Sequence, residues 1–206
     1  HLGSPEVPIS LNHVITKKAE PFEAVYEHES GLKIMPSSIS LKELKNVNLD
    51  KLKDFKKDFS KLSEYVIVDS AAGLGNEAMS AIKLADELIV VTNPEMPAIT
   101  DALKIIKLAE EMKKSILGII ITRVKKNITE MQPESVREML EAPILGMVPE
   151  DSAIQKALSE KNAVIHTNPK SKSARAYKEI AAKLLNIDYD SDKDKPSLWE
   201  RIFRKY

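Results

Sequence analysis

The chain has 206 residues, 43% apolar and 30% charged, with Lys+Arg and Asp+Glu both at 31, so no net basic field argues for nucleic acid as a partner. Cysteine is absent, which excludes disulfides, thiolate zinc sites and cysteine-held iron–sulfur clusters. No apolar run approaches the ~20 residues of a membrane-spanning helix, no signal-peptide pattern is legible, and the first residue is His1 rather than Met.

Pro5 and Pro8 mark a loop, and Ser10 is placed to cap a short helix over Leu11 to Ile15. Phe22 to Tyr26 reads as a small amphipathic piece, Leu32 to Met35 as a short strand closed by Pro36, and Ser38 to Asn46 as a turn and short helix. From Asp50 to Phe59, the residues Leu52, Phe55 and Phe59 recur at helical spacing with lysines on the other side. Tyr65-Val66-Ile67-Val68 is continuously apolar and ends at Asp69, the pattern of a strand buried on both faces of a parallel sheet. A helix over Asn76 to Leu84 and a strand over Leu88 to Val91 follow. A long helix over Pro97 to Met112 has proline in its first turn and an apolar stripe of Ile99, Leu103, Ile106 and Leu108. Then come a strand over Ile116 to Ile121, a helix over Pro133 to Leu140 and a strand over Ile144 to Val148. Ser152 to Leu158 reads as a helix, Ala163 to Ile165 as a short strand, and Ser171 to Leu185 as a last long helix.

This alternation predicts an α/β domain over residues 1–187, a mostly parallel sheet with helices on both faces. Residues 188–196 read as a solvated linker, and 197–206 as a separate segment. His13, His28 and His166 lack metal-ligand spacing, and the methionines read as core filler.

Four strand ends carry polar or proline-containing turns: Asp69, Thr92 to Glu95, Thr122-Arg123 and Pro149 to Asp151. In a parallel sheet all four fall on one edge, where open α/β sheets bind ligands. An aspartate at a strand end can hold Mg²⁺ through water, and a glycine-rich turn can approach a phosphate closely. Asp69 is equally suited to cap the following helix, and polar turns also arise from ordinary turn chemistry.

The set Val68-Asp69-Ser70-Ala71-Ala72-Gly73-Leu74-Gly75, Thr92-Asn93-Pro94-Glu95, Ile121-Thr122-Arg123-Val124 and Gly146-Met147-Val148-Pro149-Glu150-Asp151 resembles the MinD/ParA class of P-loop ATPases, and within it the MinD family of cell-division ATPases. The resemblance implies that Asp69 is the Walker B aspartate holding Mg²⁺ through water, and that Ala72, Gly73 and Leu74 form the switch that senses the γ-phosphate. It places Thr122 and Arg123 on the adenine, Pro149, Glu150 and Asp151 in a second adenine-side loop acting partly through backbone, and Glu95 near the nucleotide at a dimer interface. ATP and Mg²⁺ are the implied cofactors, and a homodimer across the nucleotide and a division-regulator protein the implied partners. Ala71 stands where the family usually has proline. None of the six glycines belongs to a G-x-x-x-x-G-K-[ST] phosphate loop, which the family carries on a strand and helix that would precede His1. These 206 residues are therefore expected to lack the phosphate loop and to hydrolyse no ATP.

After Pro196, Ser197 can cap a helix in which Leu198, Trp199, Ile202, Phe203 and Tyr206 share one face, flanked by Arg201, Arg204 and Lys205. Bulky apolar residues with a basic rim suit an interfacial helix on an anionic membrane. The alternative is a terminal helix docked on its own domain. The MinD family ends in a membrane-targeting helix, which favours a cytoplasmic protein with peripheral membrane association. A DNA-acting ParA-like partition ATPase and a non-catalytic membrane adaptor remain alternatives, whereas the iron–sulfur carriers of the superfamily fit poorly with a chain without cysteine.

Overall fold

The computed structural model describes residues 7–37, 48–125 and 130–190. They form two compact units, one up to Asp86 and one from Glu87 onward.

In the first unit, Ser10 precedes helix α1 (Leu11–Ile15), and its backbone N–H donates to His13 Nδ1 at 3.1 Å. The Tyr26 hydroxyl donates to Ile9 O at 2.9 Å and accepts from Ile9 N at 3.1 Å, tying this entry to strand β1 (Tyr26–Glu27). β1 pairs antiparallel with β2 (Lys33–Ile34). The helix expected over Asp50 to Phe59 divides into a 3-10 stretch (Leu49–Phe55) and helix α2 (Lys56–Leu62). The 3-10 stretch is started by Asn48, whose side chain accepts from Asp50 N at 3.0 Å. Helix α3 (Asn76–Leu84) returns to this layer, and Ile15, Leu52, Phe59 and Leu84 form the core. The Lys83 ammonium reaches Asp50 at 2.6 Å, and that hydrogen bond holds the Asp50 carboxyl below its usual range. The expected helix within 38–46 lies outside the described residues.

The buried strand expected over Tyr65 to Asp69 is not formed among the described residues. The segment has no regular structure, and Tyr65 and Ile67 are 62% and 92% exposed. A run that is apolar on both faces needs a ladder partner and cover on each side. Among its described residues this unit has a single sheet, the two-residue pairing of β1 with β2.

The second unit is the α/β layer. Strands β3 (Glu87–Thr92), β4 (Ser115–Val124) and β5 (Ile144–Pro149) are all parallel, in the order β3-β4-β5. Helix α4 (Met96–Glu111) connects β3 to β4, and helix α5 (Pro133–Leu140) precedes β5. Both helices carry proline in the first turn, where its missing N–H has no helical acceptor to satisfy. Alternate residues of β4 serve opposite faces. Ile119 and Ile121 bury against Val90, Ile99, Ile106, Val136 and Leu140, whereas Ile120 packs with Val148, Ala176 and Ile180.

Helix α6 (Ser152–Ser159), α7 (Val164–Thr167) and the long α8 (Lys172–Leu185) complete the unit. A β-carbon at Gly146 would collide with Ile180 Cγ1, so the glycine sets how closely α8 lies on β5. Ser171 caps α8 by accepting from Ala174 N at 3.1 Å. Asn186, at φ 52°, ends it with Ile187 N donating back to Ala182 O at 3.0 Å. The strand expected over Ala163 to Ile165 is instead helix α7. Val164 and Ile165 have strand-forming side chains, but Val164 is buried between helices, with Ala157 and Ala174, where no ladder is on offer.

Candidate functional site

Because β3, β4 and β5 run parallel, the turns that leave them share one rim. Thr92 to Glu95 follow β3, Thr122-Arg123 close β4, and Pro149 to Asp151 close β5. Hydrogen bonds stitch these turns together. The Thr122 hydroxyl donates to Thr92 O at 3.1 Å, Glu150 N donates to Val124 O at 3.0 Å, and Met131 N donates to Pro94 O at 3.1 Å.

Arg123 owes its position to a register shift. Ile121 pairs with Met147 and Val124 with Pro149, so Thr122 and Arg123 stand opposite Val148 alone. An extra residue on one strand is a bulge, which re-aims a side chain at the end of a ladder. Arg123 sits there with φ 57°, a left-handed conformation that costs a non-glycine residue roughly 1–2 kcal/mol. It is exposed, and its guanidinium has no hydrogen bond or ion pair among the described residues. A planar, unpaired cation at a sheet rim can stack on an aromatic ring.

Glu95 is the residue before α4; its backbone N–H donates to Asn93 Oδ1 at 3.3 Å and its side chain is exposed. Glu150 is also exposed, and Pro149 is partly buried. Asp151 has a different task. Its Oδ1 accepts from Ala153 N at 3.0 Å, capping α6, while Oδ2 accepts from Ser173 N at 3.1 Å and from Ser173 Oγ at 3.0 Å. One carboxylate thus fastens the starts of α6 and α8, and any contact it offers a ligand comes through its backbone. Ser173, fully buried, is the partner that sequence reasoning missed. The two residues are 22 apart, and no local spacing announces their pairing.

Asp69 and Gly73 belong to the other unit. Asp69 is exposed in a segment without regular structure and has no partner among the described residues. Gly73 has φ 88° with open space where a β-carbon would stand, so its backbone conformation, not crowding, calls for glycine. Gly75 is the residue that starts α3. Among the described residues no group of three or more His, Asp or Glu is placed to hold a metal ion. A shallow depression lined by Glu134, Arg137, Glu138 and Pro143 lies at the amino end of β5, at the opposite edge from the rim. No helix among the described residues is long and apolar enough to cross a membrane. Leu198, Trp199, Arg201, Ile202, Phe203, Arg204, Lys205 and Tyr206 lie outside the described residues.

Residues 45–185 match the profile of the ParA family, described as NUBPL iron-transfer P-loop NTPase. An uncharacterized ATP-binding protein of Methanocaldococcus jannaschii is 37% identical over 190 residues, covering 92% of this chain and 72% of that protein. The chain belongs to the ParA/MinD family of P-loop NTPases. Within the ParA/MinD family it is similar to septum site-determining proteins. MinD of Neisseria meningitidis is 31% identical over 154 residues, 68% of this chain and 56% of that protein. The structure of MinD from Pyrococcus horikoshii, complexed with Mg-ADP, superposes with a TM-score of 0.84 at 28% identity, covering 89% of this chain and 76% of that one. The fold is therefore the MinD-like P-loop NTPase fold that the family resemblance implies, and its parallel sheet with helices is what the strand–helix alternation predicts.

Proposed function

We propose that the chain acts as a MinD-type ATPase sequence that binds adenine nucleotide, dimerises and associates with the membrane, in placement of the division site or in a related positioning task. The observation that carries this reading is the rim itself: three turns stitched together at the carboxyl ends of parallel strands, in a chain similar to a MinD solved with Mg-ADP.

The side chains present suit such a ligand. Arg123, with the neighbouring Thr122, would cover the adenine, and the backbone of Pro149, Glu150 and Asp151 would border it. Asp69 would hold Mg²⁺ through water, the Gly73 turn would follow the γ-phosphate, and Glu95 would face a second subunit. ATP with Mg²⁺ would join two subunits, and ADP would be the ligand of the separated one. The segment 197–206 would attach the pair to an anionic membrane, with a division-regulator protein as partner and a cytoplasmic, peripherally bound location. The iron-transfer members of the family fit less well, because no cysteine is present to hold a cluster.

Arg123→Ala tests the adenine contact. A stacked cation contributes on the order of 1 kcal/mol, so the substitution should weaken binding of a fluorescent ADP analogue roughly fivefold with an unchanged circular dichroism spectrum. Equal affinity in both proteins would remove Arg123 from the site. Without a phosphate-loop sequence, these 206 residues should release no phosphate from ATP above a protein-free blank. Turnover that disappears in Asp69→Asn would overturn that expectation.

A further inference from the structure

Helix α8 carries a second apolar stripe that its own unit leaves half uncovered. At ~100° per residue, Ala174, Tyr177, Ala181, Leu184 and Leu185 fall within roughly 100° of one another around the helix. Ala174, at the start of the stripe, is fully buried with Ala157 and Val164. Past it the cover stops: Tyr177 and Leu184 are each 37% exposed, Leu185 43%, and Ile187, just beyond the helix end, 59%.

We propose that this stripe is the resting dock of the chain's own segment 197–206, so that the apolar face of that segment is hidden until a membrane competes for it. The inference rests on the amphipathic helix and membrane role proposed above, and adds a closed state to them. Three observations favour this occupant. The first is reach. Residues 188–196 join the end of α8 to the segment, and at ~3.3 Å per extended residue they span far more than the ~12 Å of exposed stripe, so the segment can fold back along α8. The second is concentration. A nine-residue connection keeps the segment near its dock at an effective concentration on the order of millimolar, well above that of a second copy of the protein in dilute solution. The third is complementarity. Leu198, Trp199, Ile202, Phe203 and Tyr206 offer an apolar face that water does not favour, matching the exposed Tyr177, Leu184 and Leu185.

The full chain carries its own reporter, since Trp199 is its single tryptophan. Without lipid, Trp199 should emit at short wavelength and resist quenching by acrylamide. Leu184→Asp, at a half-exposed position, should shift the emission to that of a solvated indole with unchanged circular dichroism, and should raise apparent affinity for phosphatidylglycerol-containing vesicles severalfold. The chain has no native cysteine, so Ala181→Cys combined with Ile202→Cys should give one disulfide within a monomer under mild oxidation. Trp199 quenched as freely in the unsubstituted chain as in Leu184→Asp would overturn the dock, as would a cross-link found solely between two chains. A protected Trp199 in a chain that ignores vesicles would keep the dock and discard the membrane role. Vesicle binding with a freely quenched Trp199 would do the reverse.

Discussion

Trp199→Glu should abolish co-sedimentation of the chain with anionic vesicles, and deletion of the residues after Lys195 should do the same. The estimate follows from the composition of 197–206. Arg201, Arg204 and Lys205 contribute on the order of 1 kcal/mol each beside an anionic surface. A fully buried apolar side chain contributes about 1.5–3 kcal/mol, and less at an interface. Folding a segment this short takes back much of the sum, because nucleation of an isolated helix is unfavourable. A single copy is thus marginal, and two copies held in one dimer gain on the order of 10²–10⁴ in avidity. In such a balance a glutamate in place of the largest apolar residue is decisive, since it removes burial and adds repulsion from anionic lipid. Binding that survives both changes would end the membrane role.

Asp151→Ala should destabilise the α/β unit more than any other change at the rim. The substitution deletes the α6 cap, a loss typically of ~1 kcal/mol. It also strands the N–H of Ser173, which is fully buried, at a cost of about 1–3 kcal/mol, while the Ser173 hydroxyl keeps the Ser171 hydroxyl as a partner at 3.2 Å. The total is roughly 3 kcal/mol, a fall in melting temperature of roughly 6–12 °C for a domain of this size. Asp151→Asn should recover part of the loss, because its amide oxygen can still accept from one of the two helix starts. Because the carboxylate points into these two helix starts, a melting temperature unaltered in Asp151→Ala would show that the clamp carries no energy.

The sheet from Glu87 onward was legible because its signals are local. Leu88 to Val91, Ile116 to Ile121 and Ile144 to Val148 are largely apolar runs punctuated by helices with proline in the first turn, and the observed strands extend them by two, four and one residues. The helix over Asn76 to Leu84 has the bounds its pattern suggests. The misses share another cause. Tyr65 to Asp69 has the composition of a buried strand, yet strand formation depends on a neighbour, and its described unit supplies none. Val164 and Ile165 failed in the same way and were taken up in a helical turn. The hairpin of β1 with β2 was half seen, since Lys33 to Ile34 reads as a strand while its partner Tyr26 to Glu27 does not.

At the rim, residue types could be read but their geometry could not. A proline and acidic residues after β5 are visible in the chain, whereas the bulge that re-aims Arg123 depends on the register between two strands. Likewise the Asp151 carboxylate serves Ser173, 22 positions away, which no pattern of nearby residues discloses.

The turns at Thr122-Arg123 and Pro149 to Asp151 are proposed to border one adenine nucleotide. Titration of the isotopically labelled chain with Mg-ADP, followed by amide NMR, tests this proposal most directly. Saturable shifts should be confined to Thr122, Arg123, Glu150 and Asp151, with Arg123→Ala suppressing those at the adenine side. Shifts centred instead on Glu134 to Pro143, at the other edge of the sheet, or a spectrum unmoved at millimolar Mg-ADP, would contradict it.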